Sequence, residues 1–191
     1  MLEMVITGLS LDPVSKLPVV VLCTANNSHI LPIWVGSSEA LSISLALKGA
    51  RTTRPLAHEL WLNTVATLGF SLRQIQITEV KDKIFYTSLK IGNENTWHLL
   101  DCRPSDAIVL AIRSGAPIMV GREVLNAAGY DLEFLLKSTA SIPVLAGDGS
   151  EEASLEHVAF DTENKPEETH DLDTTINKLL ADMDPESKYK M

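Results

Sequence analysis

Two stretches of the chain echo one another, SEALSISLALKGA at 38–50 and SDAIVLAIRSGA at 105–116. Each runs Ser, an acid and Ala, then an apolar helical pattern, then Gly-Ala. Upstream of each lies an apolar strand pattern, PVVVLCT at 18–24 and FYTSLKI at 85–91. A motif that recurs with its preceding strand in the same order restricts the topologies open to the chain. The echo predicts a ββ-β-α unit present twice, with one extra helix after the first copy and the two halves packed about a pseudo-twofold. The expected class is α+β, with mixed β-sheets and packed helices.

Periodicity fills in the elements. Strand patterns cover 2–11, 17–25 and 28–35, the last two joined by a turn at Asn26-Asn27. SSEALSISLALKGA predicts a helix with Ser37 or Ser38 as N-cap, Glu39 in its first turn and Gly49 at its end. RTTRPLAHELWLNTVATLGF predicts a second, with Pro55 near its first turn and Gly69 closing it. Strands follow at 71–80, 83–92 and 96–102, then a helix over 105–114 and the short strand PIMVG. REVLNAAGYDLEFLLK predicts one or two small helices.

Charge divides the chain near residue 140. Residues 1–140 hold 12 acidic and 12 Lys/Arg side chains, whereas 141–191 hold 13 and 4, so the whole net charge of −9 lies in the tail. The expected division is a domain over 1–138 and an acidic, largely disordered tail over 139–191. One amphipathic helix is expected near 171–184, where Leu172, Ile176, Leu179, Leu180 and Met183 recur at helical spacing, and it is a candidate contact for a protein partner. A neutral core with an acidic tail gives no long-range attraction for nucleic acid, so net charge does not support that partner. Two cysteines, Cys23 and Cys102, are too few for a disulfide framework or a zinc site. The opening MLEMVITGLSLDP has no basic n-region or long apolar h-region, and no stretch is long enough to span a membrane. A cytoplasmic protein without membrane association is expected.

The densest polar run beside an apolar segment is DCRPSDA at 101–107. Ser105 and Asp106 admit a structural account: a serine before an apolar helix caps it, and an acid in the first turn suits the helix dipole. Ser38 and Glu39 stand at the matching corner. Capping is the favoured account for that pair, by about two to one, since it needs no substrate. Asp101 and Arg103 are harder to absorb. Arg103 either pairs with Asp101 or Asp106 to fix the corner, or holds a phosphate while the two carboxylates hold a divalent ion. The residues alone leave both open. Arg51, Arg54 and His58 bring positive charge to the loop and start of the second helix, a candidate anion patch, with a solvated loop as the plainer account of them. Glu79-Val80-Lys81 matches a fragment of some nuclease sites but lacks the upstream aspartate. Trp34, Trp61 and Trp97 belong to a core or an interface. There is no phosphate-binding glycine loop, zinc-ligand spacing or serine-nucleophile elbow.

DCRPSDAIVLAIRSGAPIMVGREVLNAAG, with ILPIWVGSSEALSISLALKG and RPLAHELWLNTVATLG upstream, resembles the bifunctional nuclease domain family in order and spacing over residues 1–136. The resemblance implies an α+β domain, often a homodimer, and cleavage of both DNA and RNA. The positions matching the family's blocks are Glu39, His58, Asp101, Arg103, Ser105 and Asp106.

Taken together, the expectation is metal-dependent phosphodiester hydrolysis. Asp101, Asp106 and Glu39 would hold Mg²⁺ or Mn²⁺, Arg103 would steady the phosphate and His58 would serve as acid or base. No organic cofactor is expected. The alternative is a non-catalytic regulatory or protein-interaction domain whose polar corners are structural caps.

Overall fold

The computed structural model describes residues 1–132 and Ala181. The expected tail, its helix at 171–184 and the boundary at 138 lie outside the described residues, apart from Ala181.

Three antiparallel strands open the chain: β1 (Leu2–Leu11), β2 (Pro18–Thr24) and β3 (His29–Trp34). Helices α1 (Ser37–Leu47) and α2 (Ala57–Thr67) follow. A second antiparallel run, β4 (Ser71–Lys81), β5 (Ile84–Gly92) and β6 (Trp97–Cys102), leads into α3 (Pro104–Ser114). The short β7 (Ile118–Val120), α4 (Arg122–Ala128) and the two-residue β8 (Tyr130–Asp131) complete the described chain. The result is an α+β fold on one mixed eight-stranded sheet, ordered β6-β5-β4-β7-β1-β2-β3-β8. Outward from β7 the order is 4-5-6 on one side and 1-2-3 on the other. Each run of three hands over to a helix, α3 or α1, and those two helices pack on each other. The connectivity of the two halves is therefore the same, with α2 inserted between them. β7 joins the halves, parallel to β4 and antiparallel to β1.

Side-chain alternation explains which strand residues meet the helices. Val20, Leu22, Leu31, Ile33, Ile75, Ile77, Phe85, Leu89, Ile118 and Val120 point to one face and join Ile43, Ile108 and Ala111 in the main core. Val19, Val21, Cys23, Ile30 and Trp34 form a smaller cluster on the other face of β2 and β3. This is why PVVVLCT is an unbroken apolar run: it is buried on both sides. The buried Asp12 carboxylate holds the loop before β2, accepting from Trp34 Nε1 at 2.9 Å and from the Val14 and Ser15 amides at 3.0 and 3.2 Å.

The expected helix caps need correction. Neither Ser37 nor Ser38 caps α1: its N-cap is Gly36, and no side chain caps it. Ser105 does not cap α3 either, because Pro104 occupies the first turn and Arg103 is the N-cap. Pro104 needs no N–H there, so it starts the helix one residue before Ser105. The described part of REVLNAAGYDLEFLLK holds the small helix α4. Gly129 ends α4, and Tyr130–Asp131 then pair with β3 at Ile30 and His29. No helix among the described residues is long and apolar enough to cross a membrane.

Candidate active site

α3 is the central helix of its layer, packed by α1 on one side and α2 on the other. Seven of its eleven residues are buried, and the stripe turned away from the sheet carries Asp106, Val109 and Arg113. The start of α3 is therefore a corner that α1 supplies with Glu39 and α2 with His58. These groups lie far apart in sequence and meet in one pocket of about 230 Å³, lined also by Ser38, Ser42, Ser105 and Val109.

Arg103 organises the corner. Its Nε donates to Asp106 Oδ2 at 2.9 Å and its Nη2 to Asp106 Oδ1 at 3.3 Å, the fork-to-fork geometry that a guanidinium favours with a carboxylate. Its Nη1 donates to Glu39 Oε1 at 3.0 Å. A guanidinium has five N–H donors, so three bonds leave two donors free. Asp106 Oδ1 also lies 3.3 Å from His58 Nε2. An ionised carboxylate only accepts, so Nε2 carries the hydrogen and Nδ1 of the neutral ring keeps a lone pair.

The charges respond to these contacts. Burial works to raise the Asp106 carboxyl, but hydrogen bonds from Arg103 and then His58 outweigh it and hold the group below the ordinary aspartate value. Glu39 is lowered too, first by the Ser38 hydroxyl, which donates to its Oε2, then by its own backbone amide and by Arg103. Arg103 is raised, chiefly by Asp106. Cys102, burying its thiol beneath the corner, is pushed up to about 12 by desolvation and then by Asp106 and Asp101, so it stays a protonated thiol at neutral pH. The Ser105 side chain is buried and its Oγ has no hydrogen-bond partner. A buried hydroxyl without a partner costs about 1–3 kcal/mol, and this one belongs to a residue lining the pocket.

Four of the expected site residues, Glu39, His58, Arg103 and Asp106, are thus brought together; Asp101 is not. Cys102 packs on the core side of β6, so by alternation its neighbour Asp101 projects from the opposite face, where it is exposed beside Ser88. The expected divalent-ion set Asp101, Asp106 and Glu39 is therefore not assembled, and the described residues hold no group of three or more His, Cys, Asp or Glu side chains that could take a metal ion. Arg103 also stands between the two carboxylates that remain, with its own charge in the place a cation would take. As arranged, these residues do not fit Mg²⁺ or Mn²⁺. Arg51 and Arg54 are exposed on the loop between α1 and α2, outside the pocket. Glu79 and Lys81 are exposed on β4.

Sequence reasoning passed over Ser42 and Val109 and took Ser105 for a cap. The echo did carry a signal for the pocket: it aligns Ser38 with Ser105 and Glu39 with Asp106, the two helix starts that face each other across it.

Comparison with known proteins gives the family. The model of the bifunctional nuclease domain matches residues 20–133, which include all four converging residues. A Mycobacterium tuberculosis protein described as uncharacterized is 38% identical over 127 residues, covering 66% of this chain and 76% of its own. The bifunctional nuclease of Oryza minuta is 29% identical over 165 residues, covering 84% of this chain but 47% of its own length. Bifunctional nuclease 1 of Arabidopsis thaliana is 26% identical over 157 residues, with 81% and 45% covered. The chain belongs to the bifunctional nuclease domain family.

Proposed function

We propose that the chain hydrolyses phosphodiester bonds of nucleic acid, and that the pocket at the start of α3 is where it does so. The observation that carries this is the convergence of a cation, an imidazole and two carboxylates at one pocket, through pairs 64 and 48 residues apart in sequence. The two free donors of Arg103 hold the non-bridging oxygens of the phosphate. Glu39 and Asp106 fix the guanidinium plane, so little is lost in ordering it when substrate binds. His58 Nδ1 takes a proton from an attacking water as the new P–O bond forms. The imidazolium, stabilised by Asp106, returns that proton to the leaving oxygen as the old P–O bond breaks. No step is assigned to a metal ion. The names of the plant relatives support the nucleic-acid substrate.

The test is cleavage of labelled single- and double-stranded DNA and RNA by purified protein, in Mg²⁺, in Mn²⁺ and in EDTA, beside Asp106→Asn. Cleavage that persists in EDTA and falls at least about a hundredfold in the variant supports the assignment. Equal cleavage by both proteins, or none by either, overturns it. Cleavage that needs added metal would overturn the metal-free steps given to Arg103 and His58.

A further inference from the structure

Three helices begin at the pocket. Of the residues lining it, Glu39 is the third of α1, His58 the second of α2, and Ser105 and Asp106 the second and third of α3. Each helix has eleven residues, and the unpaired amides of such a start carry roughly half a positive charge. With Arg103, the three starts offset the two carboxylates of the pocket. At α1 and α2 a glutamate already answers the free amides. Glu39 accepts from its own N–H, and Glu59 from the Leu56 N–H at 3.1 Å. At α3 the acid is engaged elsewhere, since Asp106 accepts from Arg103 and His58. The bond that opens α3 runs from Ala107 N to Arg103 O at 3.1 Å, and Pro104 has no N–H. The amides of Ser105 and Asp106 therefore have no carbonyl within the helix to donate to.

A second observation falls at the same place. Ser105 is 1% exposed and its Oγ has no hydrogen-bond partner. Thr87 Oγ1 is likewise buried without a partner, but Thr87 lines neither this pocket nor the larger cavity beside α2, whereas Ser105 lines this one. Nor does Ser105 serve the helix as a cap, because Arg103 is the N-cap. A hydroxyl with no bond in the fold has none to break when it turns between staggered wells toward a ligand.

We infer that the start of α3 is an oxyanion-binding site for a phosphate group, in which the Ser105 hydroxyl is the buried donor. The Ser105 and Asp106 amides donate beside it, and the two free donors of Arg103 reach the remaining oxygens. One hydroxyl, two amides and two guanidinium donors make five. A carboxylate offers about four lone-pair sites for them, whereas a phosphate has three or more acceptor oxygens. The inference rests on the nuclease reading only for the source of the phosphate, and it adds to that reading the residue that receives the group.

The test uses the full chain and inorganic phosphate, titrated at constant ionic strength and read from the backbone amide resonances, with a single-stranded oligothymidylate as the second arm. Saturable shifts are expected at the Ser105 and Asp106 amides, and oligothymidylate is expected to displace phosphate from them. Ser105→Ala is expected to weaken phosphate binding about tenfold. Its melting temperature should be unchanged or higher, because a buried hydroxyl without a partner does not stabilise the fold. If phosphate leaves those amides unshifted, or Ser105→Ala binds it as tightly as the unaltered protein, the inference is overturned. A lower melting temperature in Ser105→Ala would assign the hydroxyl to the fold and overturn it too. Phosphate held at those amides, with oligothymidylate neither displacing it nor cleaved, would keep the oxyanion site and sink the nuclease reading instead.

Discussion

At the scale of single residues, Asp106 links Arg103 and His58, accepting from the guanidinium and from the imidazole Nε2. Its pair with Arg103 is partly exposed, so solvent screening holds its worth to about 1 kcal/mol or less. Asp106→Asn should therefore stay folded while losing activity. It should also change the acid limb of stability. The folded Asp106 value is depressed, so its contribution is present above the unfolded value of about 3.9 and is lost as pH falls through the folded value. Urea midpoints taken from pH 6 downward should fall more steeply below about pH 4 in the unaltered protein than in Asp106→Asn. Parallel curves would contradict the pairing. Asp12 is a contrasting case, a buried carboxylate with three hydrogen bonds and a structural task. Asp12→Ala should cost about 3 kcal/mol or more in denaturant unfolding. Much of the polar corner was legible from residue types and their spacing. The partner of Arg103 was not, because strand register decides it: with Cys102 turned inward, Asp101 must turn out, and nothing in WHLLDC alone says which face is core.

At the scale of elements, α3 carries the most weight, since it supplies the floor of the pocket and fills the layer between α1 and α2. Ile108 is fully buried on its sheet face, so Ile108→Ala should lower unfolding free energy by about 2–5 kcal/mol. Gly115 closes α3 in the left-handed region, with φ of 72°. Gly115→Ala should cost about 1 kcal/mol, a smaller loss that the same unfolding measurement resolves. Helices of eleven residues with one apolar face were plain in the sequence, as were the strands. The starts of α1 and α3 were less so, because both begin without a side-chain cap and Ser38 and Ser105 stand where capping residues would. β8 was illegible for a different reason. Two residues carry no periodicity, and only the neighbouring β3 makes Tyr130–Asp131 a strand.

At the scale of the whole molecule, the echo between 38–50 and 105–116 pointed to two runs of strands that each hand over to a helix, which is the order of β1–β3 with α1 and of β4–β6 with α3. It did not anticipate that β7 would join them into one sheet, since strand order is set by non-local pairing. The charge split has a consequence for binding. With a neutral core over 1–140 and Arg103 proposed as the phosphate-holding cation, nucleic-acid affinity should depend weakly on salt. At about 0.7 counterions per contact, the slope of log affinity against log salt for a single strand should be near −0.7. A much steeper slope, measured by anisotropy across a salt series, would place the strand on a broader basic surface than this pocket. The measurement that goes most directly to the chemistry is single-turnover cleavage of a labelled single strand by the unaltered protein and by His58→Gln, each shown folded by its melting curve. A proton-transferring His58 predicts a rate loss of about a hundredfold or more with the melting temperature unchanged. Equal rates in the two folded proteins would remove His58 from the reaction and, with it, the assignment of this pocket as the catalytic site.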